Sequence, residues 1–211
     1  MNLDNAKHVL IGGKRAVRLK INGTVFWKGL PGGYIPLDYI EATGTQYIDT
    51  GFIPNQDTRV VCEFMYKGGS GVYGARNTVA TRNFSMRVIS GAWQLGFGDG
   101  VTTGTIESDT TRWHIADQNK NNLYIDGALA ATRDYVEFTT PKAMAIGAIR
   151  AGSVYYGEGR YRGCQVYDNG VLVRDFMPCK DPDGNIGMYD TLNAKFYGNA
   201  GTGVFTAGYL E

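Results

Sequence analysis

Charge is scarce in this sequence. Asp, Glu, Lys and Arg make up 19% of its 211 residues, against roughly 25% in ordinary globular chains. The two signs nearly cancel, leaving a formal net charge of +1. That balance supplies none of the field a nucleic-acid partner needs. Histidine is limited to His8 and His114, and cysteine to Cys62, Cys164 and Cys179. No two cysteines form a C-x-x-C pair and neither histidine stands beside two of them, which argues against zinc. The odd number reads as partly buried thiols, with a Cys164–Cys179 disulfide left open for a chain that meets an oxidising environment. Long apolar runs are missing. None approaches the ~18–20 residues of a membrane span, so no membrane partner is expected. Met1 to Gly13 has neither the apolar core nor the cleavage site of a signal peptide. The expectation is a chain made and kept in the cytoplasm, or packed into a virion that lysis releases. No segment holds a 3.6-residue apolar period over three turns, so almost no helix is expected.

Glycine and aromatics are abundant. Gly is 30 of 211 residues, about twice the usual share, and Tyr and Phe number 14 and 9. The hydrophobic fraction of 43% allows a sizeable core. Alternation of period two runs through most of the chain. Arg15 to Gly29 holds two alternating runs around Asn22-Gly23, a strong hairpin signal because both turn residues must take positive φ. A lone hairpin is marginal in water, so this unit must bury its apolar side against something. Phe26 and Trp27 are its candidate anchors. Leu30 belongs with this segment, residues 31–33 read as a linker, and residues 34–211 as one domain.

Within that domain, Val60, Cys62, Phe64 and Tyr66 share one face, and Phe84, Met86 and Val88 alternate with Ser85 and Arg87. After Ser90-Gly91, Trp93, Leu95 and Phe97 alternate with Gln94 and Gly96. Further strands are expected at Trp113–Asp117, Leu123–Asp126, Ala128–Thr132 and Met144–Ala148. Tyr161–Tyr167 and Val171–Phe176 flank a third hairpin signal, Asn169-Gly170. Many short strands separated by Gly, Asn and Asp turns imply two packed antiparallel sheets, and a jelly roll suits the count better than an immunoglobulin sandwich.

Two strings are long and specific, YIEATGTQYIDTGF within Leu30–Phe64 and GMYDTLNAKFYGNAGTGVFTAG within Gly159–Gly208, while TRWHIADQNKNNLYIDG at Thr111–Gly127 is a more generic Trp-His followed by a strand ending in Asp-Gly. On these, the chain resembles the concanavalin A-like (laminin G-like) jelly-roll domains of phage tail and virion proteins and of gut-bacterial surface proteins. The segment before them is similar to the short strand–Asn-Gly–strand unit that precedes such domains in phage proteins. The resemblance implies a β-sandwich whose concave face or rim loops bind carbohydrate. It also implies other virion proteins, or sister subunits in a homo-oligomer, as partners of the N-terminal hairpin.

The candidate site residues follow from chemistry. Hydrolases of that superfamily carry Glu-x-Asp-x-Glu on one strand, which would set both glutamates on one face, with about 7 Å for each two-residue step. Here Glu41, Glu63, Glu107, Glu137 and Glu158 are scattered, so the expectation is no enzyme. His114 reads as a hydrogen-bonded side chain at the sheet surface. Sugars are held by stacked aromatic rings beside planar hydrogen-bonding groups. Two loops offer both: Arg76, Asn77 and Arg82 in one, Arg150, Tyr155 and Tyr156 in the other, with Trp93 joining them if its face is concave. Either Tyr155 and Tyr156 touch a ligand or they pack on the edge. Asp181, Asp183 and Asn185 have the D-x-D-x-N spacing of a calcium loop, though the glycine and glutamate of an EF-hand are out of place. Pro-Asp-Gly is also a good turn by itself. The function expected is non-catalytic adhesion to a bacterial surface carbohydrate by a virion-associated module. The alternative is a structural virion component, such as a decoration or baseplate protein, with no glycan of its own.

Overall fold

The computed structural model describes residues 10–11, 14–15, 18–21, 24–28, 30–78 and 81–209. Every element in it is a strand. In the N-terminal part, β1 (Leu10–Ile11) pairs antiparallel with β2 (Lys14–Arg15), and β3 (Arg18–Ile21) with β4 (Thr24–Lys28). The strands flanking Asn22-Gly23 thus form the expected hairpin. The turn itself, and the side chains of Phe26 and Trp27, lie outside the described residues.

The main domain runs β5 (Ile35–Thr43), β6 (Ile48–Asp49), β7 (Thr58–Gly69), β8 (Gly71–Ala75), β9 (Asn83–Ile89), β10 (Ala92–Gly98), β11 (Val101–Glu107), β12 (His114–Asn119), β13 (Asn122–Ile125) and β14 (Ala128–Thr132). It continues through β15 (Ala145–Ile146), β16 (Ala148–Arg150), β17 (Val154–Asp168), β18 (Val171–Lys180), β19 (Ile186–Asp190), β20 (Lys195–Tyr197) and β21 (Thr206–Tyr209). One ladder has the order β14-β13-β12-β7-β17. The other edge of β17 is shared by β5 and β18, which carry β21 and β19-β20 respectively. A second ladder runs β11-β10-β9-β8 and on to β15 and β16. All pairing is antiparallel except one bridge, Arg150 to Ala75. The arrangement is compatible with a jelly-roll sandwich.

The ladders are not separate. Val154–Tyr156 of β17 pair with β16, while Gly157–Asp168 pair with β7, so one long strand serves both. Gly157 stands where the two registers meet. A Cβ there would lie 1.9 Å from the Gly71 carbonyl oxygen, so only glycine lets the backbones approach this closely.

Alternation builds the core. Trp93, Leu95 and Phe97 of β10 and Phe84, Met86 and Val88 of β9 turn inward, with Val60, Cys62 and Phe64 of β7 and Ala116 of β12 in the same cluster. The Phe64 and Trp93 rings meet edge to face at 5.5 Å, joining the two ladders; such a pair adds about 1 kcal/mol beyond its buried area. The tight turns follow their dipeptides. Asp126-Gly127 and Asn169-Gly170 each hold two consecutive positive φ values, 52° and 84°, and 49° and 80°, the signature of a type I′ hairpin. His114 departs from expectation. It is buried rather than at the sheet surface, with its Nδ1 2.9 Å from Asp126 Oδ2 and its ring 5.4 Å from that of Trp93. It sits on the inward phase of β12, in step with Ala116 and Gln118. The cysteines are all buried and stand as thiols. Burial and the Asp181 charge push Cys179 up to about 12.

Candidate functional site

Strand alternation gives the β8–β11 ladder two unlike faces. One is the core. On the other, Ser85 and Arg87 of β9 stand beside Gly74 of β8 and Gln94 and Gly96 of β10. Asn83 shares this face and accepts the Ser85 hydroxyl hydrogen at 2.7 Å. Gly96 leaves room for both side chains, since a Cβ there would meet Asn83 Nδ2 and Ser85 Oγ at 2.4 Å. Across the strands a relay runs outward: Arg87 Nε donates to Gln94 Oε1, and Gln94 Nε2 donates to Thr103 Oγ1 at 3.2 Å.

Arg76 lies at the head of this face. Its backbone N–H donates to the Arg150 carbonyl at 2.8 Å, tying the end of β8 to β16. Its guanidinium stacks on Tyr155 of β17, with Cζ 4.6 Å from the ring centroid. Arg76 is only 7% exposed, and its Nε has no hydrogen-bond partner. Burying a cation without a counter-charge costs several kcal/mol. Burial and the nearby Arg76 charge together hold Arg87 below the usual arginine value, with Tyr155 acting the other way.

The structure therefore brings Arg76, Arg150 and Tyr155 together, and separates the rest of the expected set. Arg150 is ion-paired to Asp49. Tyr156 takes the opposite phase of β17 from Tyr155 and packs against Tyr47, ring centroids 6.1 Å apart. Asn77 closes its own loop, its N–H donating to the Thr81 carbonyl and its Oδ1 accepting from Thr78 N. Arg82 is exposed and is held by the Thr139 carbonyl. Trp93 requires a correction: it is 0% exposed and belongs to the core, because it shares the phase of Leu95 and Phe97. Arg87, Gln94 and Thr103 are the residues that sequence reasoning missed. A signal for the first two existed, since a two-residue turn at Ser90-Gly91 sets Arg87 opposite Gln94.

Two other places gather suitable chemistry but have spent it. Tyr39 and Trp113 are interleaved with Arg160 and Arg162, whose guanidinium carbons lie 4.7 and 3.8 Å from those rings. There Arg162 binds Asp38 through two bonds of 3.1 and 2.8 Å, and Arg160 binds Glu41. A cleft of ≈ 580 Å³ opens beside Asn185, Phe196, Asn199 and Val204. Asn199 is engaged by Tyr47 N, Gly201 N and the carbonyls of Thr202 and Gly203.

The Asp181–Asn185 segment folds as a turn. Asp181 accepts from Asn185 Nδ2 and from the Asn185 N–H, at 2.9 and 2.7 Å. These bonds, the Asn185 side chain first, hold the Asp181 carboxyl below its ordinary value. Among the described residues no group of His, Cys, Asp and Glu is arranged to hold a metal ion.

Neither the family models nor the curated proteins compared with the chain match it.

Proposed function

We propose that this chain is a non-catalytic adhesion module that binds a bacterial surface carbohydrate at the Arg76–Tyr155 end of the β8–β11 face. The observation that carries this reading is the largely buried Arg76 guanidinium, stacked on Tyr155 and with no ion pair among the described residues. An aromatic ring beside a planar donor with unused hydrogen-bonding capacity is the pairing that sugar recognition uses. Arg87 and the exposed Thr103, linked through the buried Gln94, border it on the same face. The non-catalytic part is supported by the pairing of the carboxylates on β5 and β7: Asp38 and Glu63 share Arg162, and Glu41 is tied to Arg160. The resemblance of Leu30–Phe64 and Gly159–Gly208 to phage jelly-roll domains supports a virion setting, with the N-terminal hairpin as the attachment to other virion proteins or sister subunits.

The test is staining of intact bacteria with the fluorescently labelled full chain. Saturable staining, competed by isolated cell-wall polysaccharide and lost in Tyr155→Ala with unchanged melting temperature, is the expected result. No staining by folded protein across a broad panel of cells would overturn the adhesion reading in favour of a structural virion component. Undiminished staining by Tyr155→Ala would move the site elsewhere.

A further inference from the structure

Among the described residues 30–209, most arginines are neutralised by a carboxylate. Arg59, Arg112, Arg150, Arg160, Arg162 and Arg174 each lie against a carboxylate. Arg82 and Arg133 donate to backbone carbonyls instead. Arg76 and Arg87 differ. Among the described residues neither has a carboxylate partner, and the Arg87 side chain is bonded only to the neutral Gln94. They lie on one face of the adjacent strands β8 and β9, Arg76 just past the end of β8, and both are largely withdrawn from water. Two largely buried like charges on one face, neither with a counter-ion, are unfavourable unless a ligand supplies the anion. A guanidinium offers a planar fork of donors that matches a carboxylate, and the Arg76 guanidinium carbon rests over the Tyr155 ring.

We infer that the glycan bound at this face carries an acidic sugar, whose carboxylate sits between Arg76 and Arg87 while Tyr155 covers the sugar ring. The inference rests on the carbohydrate reading of the same face and adds the charge class of the ligand. Thr103, at the exposed end of the relay, is placed to meet a hydroxyl of that sugar or of its neighbour, while the buried Gln94 holds Arg87 in position. The carboxylate accepts from both arginines, and rising salt weakens its binding only modestly, because both guanidiniums are largely withdrawn from water.

The experiment compares the full chain binding to polygalacturonate and to the same polymer with its carboxyls reduced to alcohols. The expected result is at least about tenfold tighter binding to the acidic polymer. That margin should shrink modestly with added salt and disappear in Arg76→Gln and in Arg87→Gln. Arg87→Gln is the second variant because Arg87 is less buried, so its loss endangers the fold less. Free galacturonate should compete, and equimolar galactose and inorganic phosphate should not. Equal binding to the acidic and reduced polymers would overturn the inference and leave the carbohydrate reading intact. Competition by phosphate but not by galacturonate would overturn it as well. Failure to bind either polymer, or any glycan of a broad neutral and acidic panel, would bring down the carbohydrate reading itself.

Discussion

Asp126 illustrates how one side chain can serve a turn, a strand and the core at once. It takes positive φ in its hairpin, accepts the Ile115 N–H through Oδ1 at 2.8 Å, and meets His114 through Oδ2. Burial alone would raise its carboxyl. The Ile115, His114 and Arg112 contacts more than offset that and hold it below the usual 3.8. A carboxyl whose folded value lies below its unfolded one adds stability that is complete above the unfolded value and is lost as pH falls through the folded one. Asp126→Asn keeps the shape and the tolerance for positive φ but removes the charge. It should cost about 1.5 kcal/mol at pH 7, with the gap to wild type closing below about pH 4. Urea unfolding at a series of pH values reads this directly, and a gap independent of pH would show that the charge is not what matters. At this scale the sequence was partly legible. The Asp-Gly dipeptide announced the turn, but the link to His114 depended on register across β12 and β13, which no local pattern encodes.

At the scale of elements, alternation and turn chemistry were the readable signals. The strands around Ser90-Gly91, Asp126-Gly127 and Asn169-Gly170 fall where those dipeptides place them. β11 was not anticipated, because Val101, Thr103 and Thr105 form an edge strand with little apolar contrast between its faces. Trp93 shows the limit of the pattern: it shares the inward phase of Leu95 and Phe97, and that phase places it in the core rather than at a ligand. The junction of the two ladders was invisible too, since nothing local marks Gly157 as the point where β17 changes partners. Gly157→Ala should therefore destabilise by about 2–3 kcal/mol through collision with the Gly71 carbonyl. Gly170→Ala, which has open space around it but positive φ, should cost about 1 kcal/mol. Comparable losses in chemical denaturation would deny the junction its special place.

At the scale of the whole molecule, the fold class was carried by composition and period together: many glycines, many aromatics, few charges and no helical repeat. The candidate site was legible only in its ends. Arg76 and Tyr155 are 79 residues apart in sequence, and both were singled out for chemistry. What brings them together is the return of β17 alongside β16 next to β8, a long-range pairing outside the reach of spacing arguments. The same pairing leaves Arg76 buried, which is why its missing counter-charge emerged only from the fold. The Tyr39–Trp113 patch escaped notice for a like reason, since its members come from separate strands.

The most direct measurement is amide hydrogen exchange of the full chain with and without cell-wall polysaccharide from a bacterium it stains. The account predicts added protection confined to residues 71–77, 85–94 and 150–156, around Arg76, Arg87 and Tyr155. Protection centred instead on residues 38–41 and 160–162, or on the cleft at 196–205, would contradict it and place recognition on a different face.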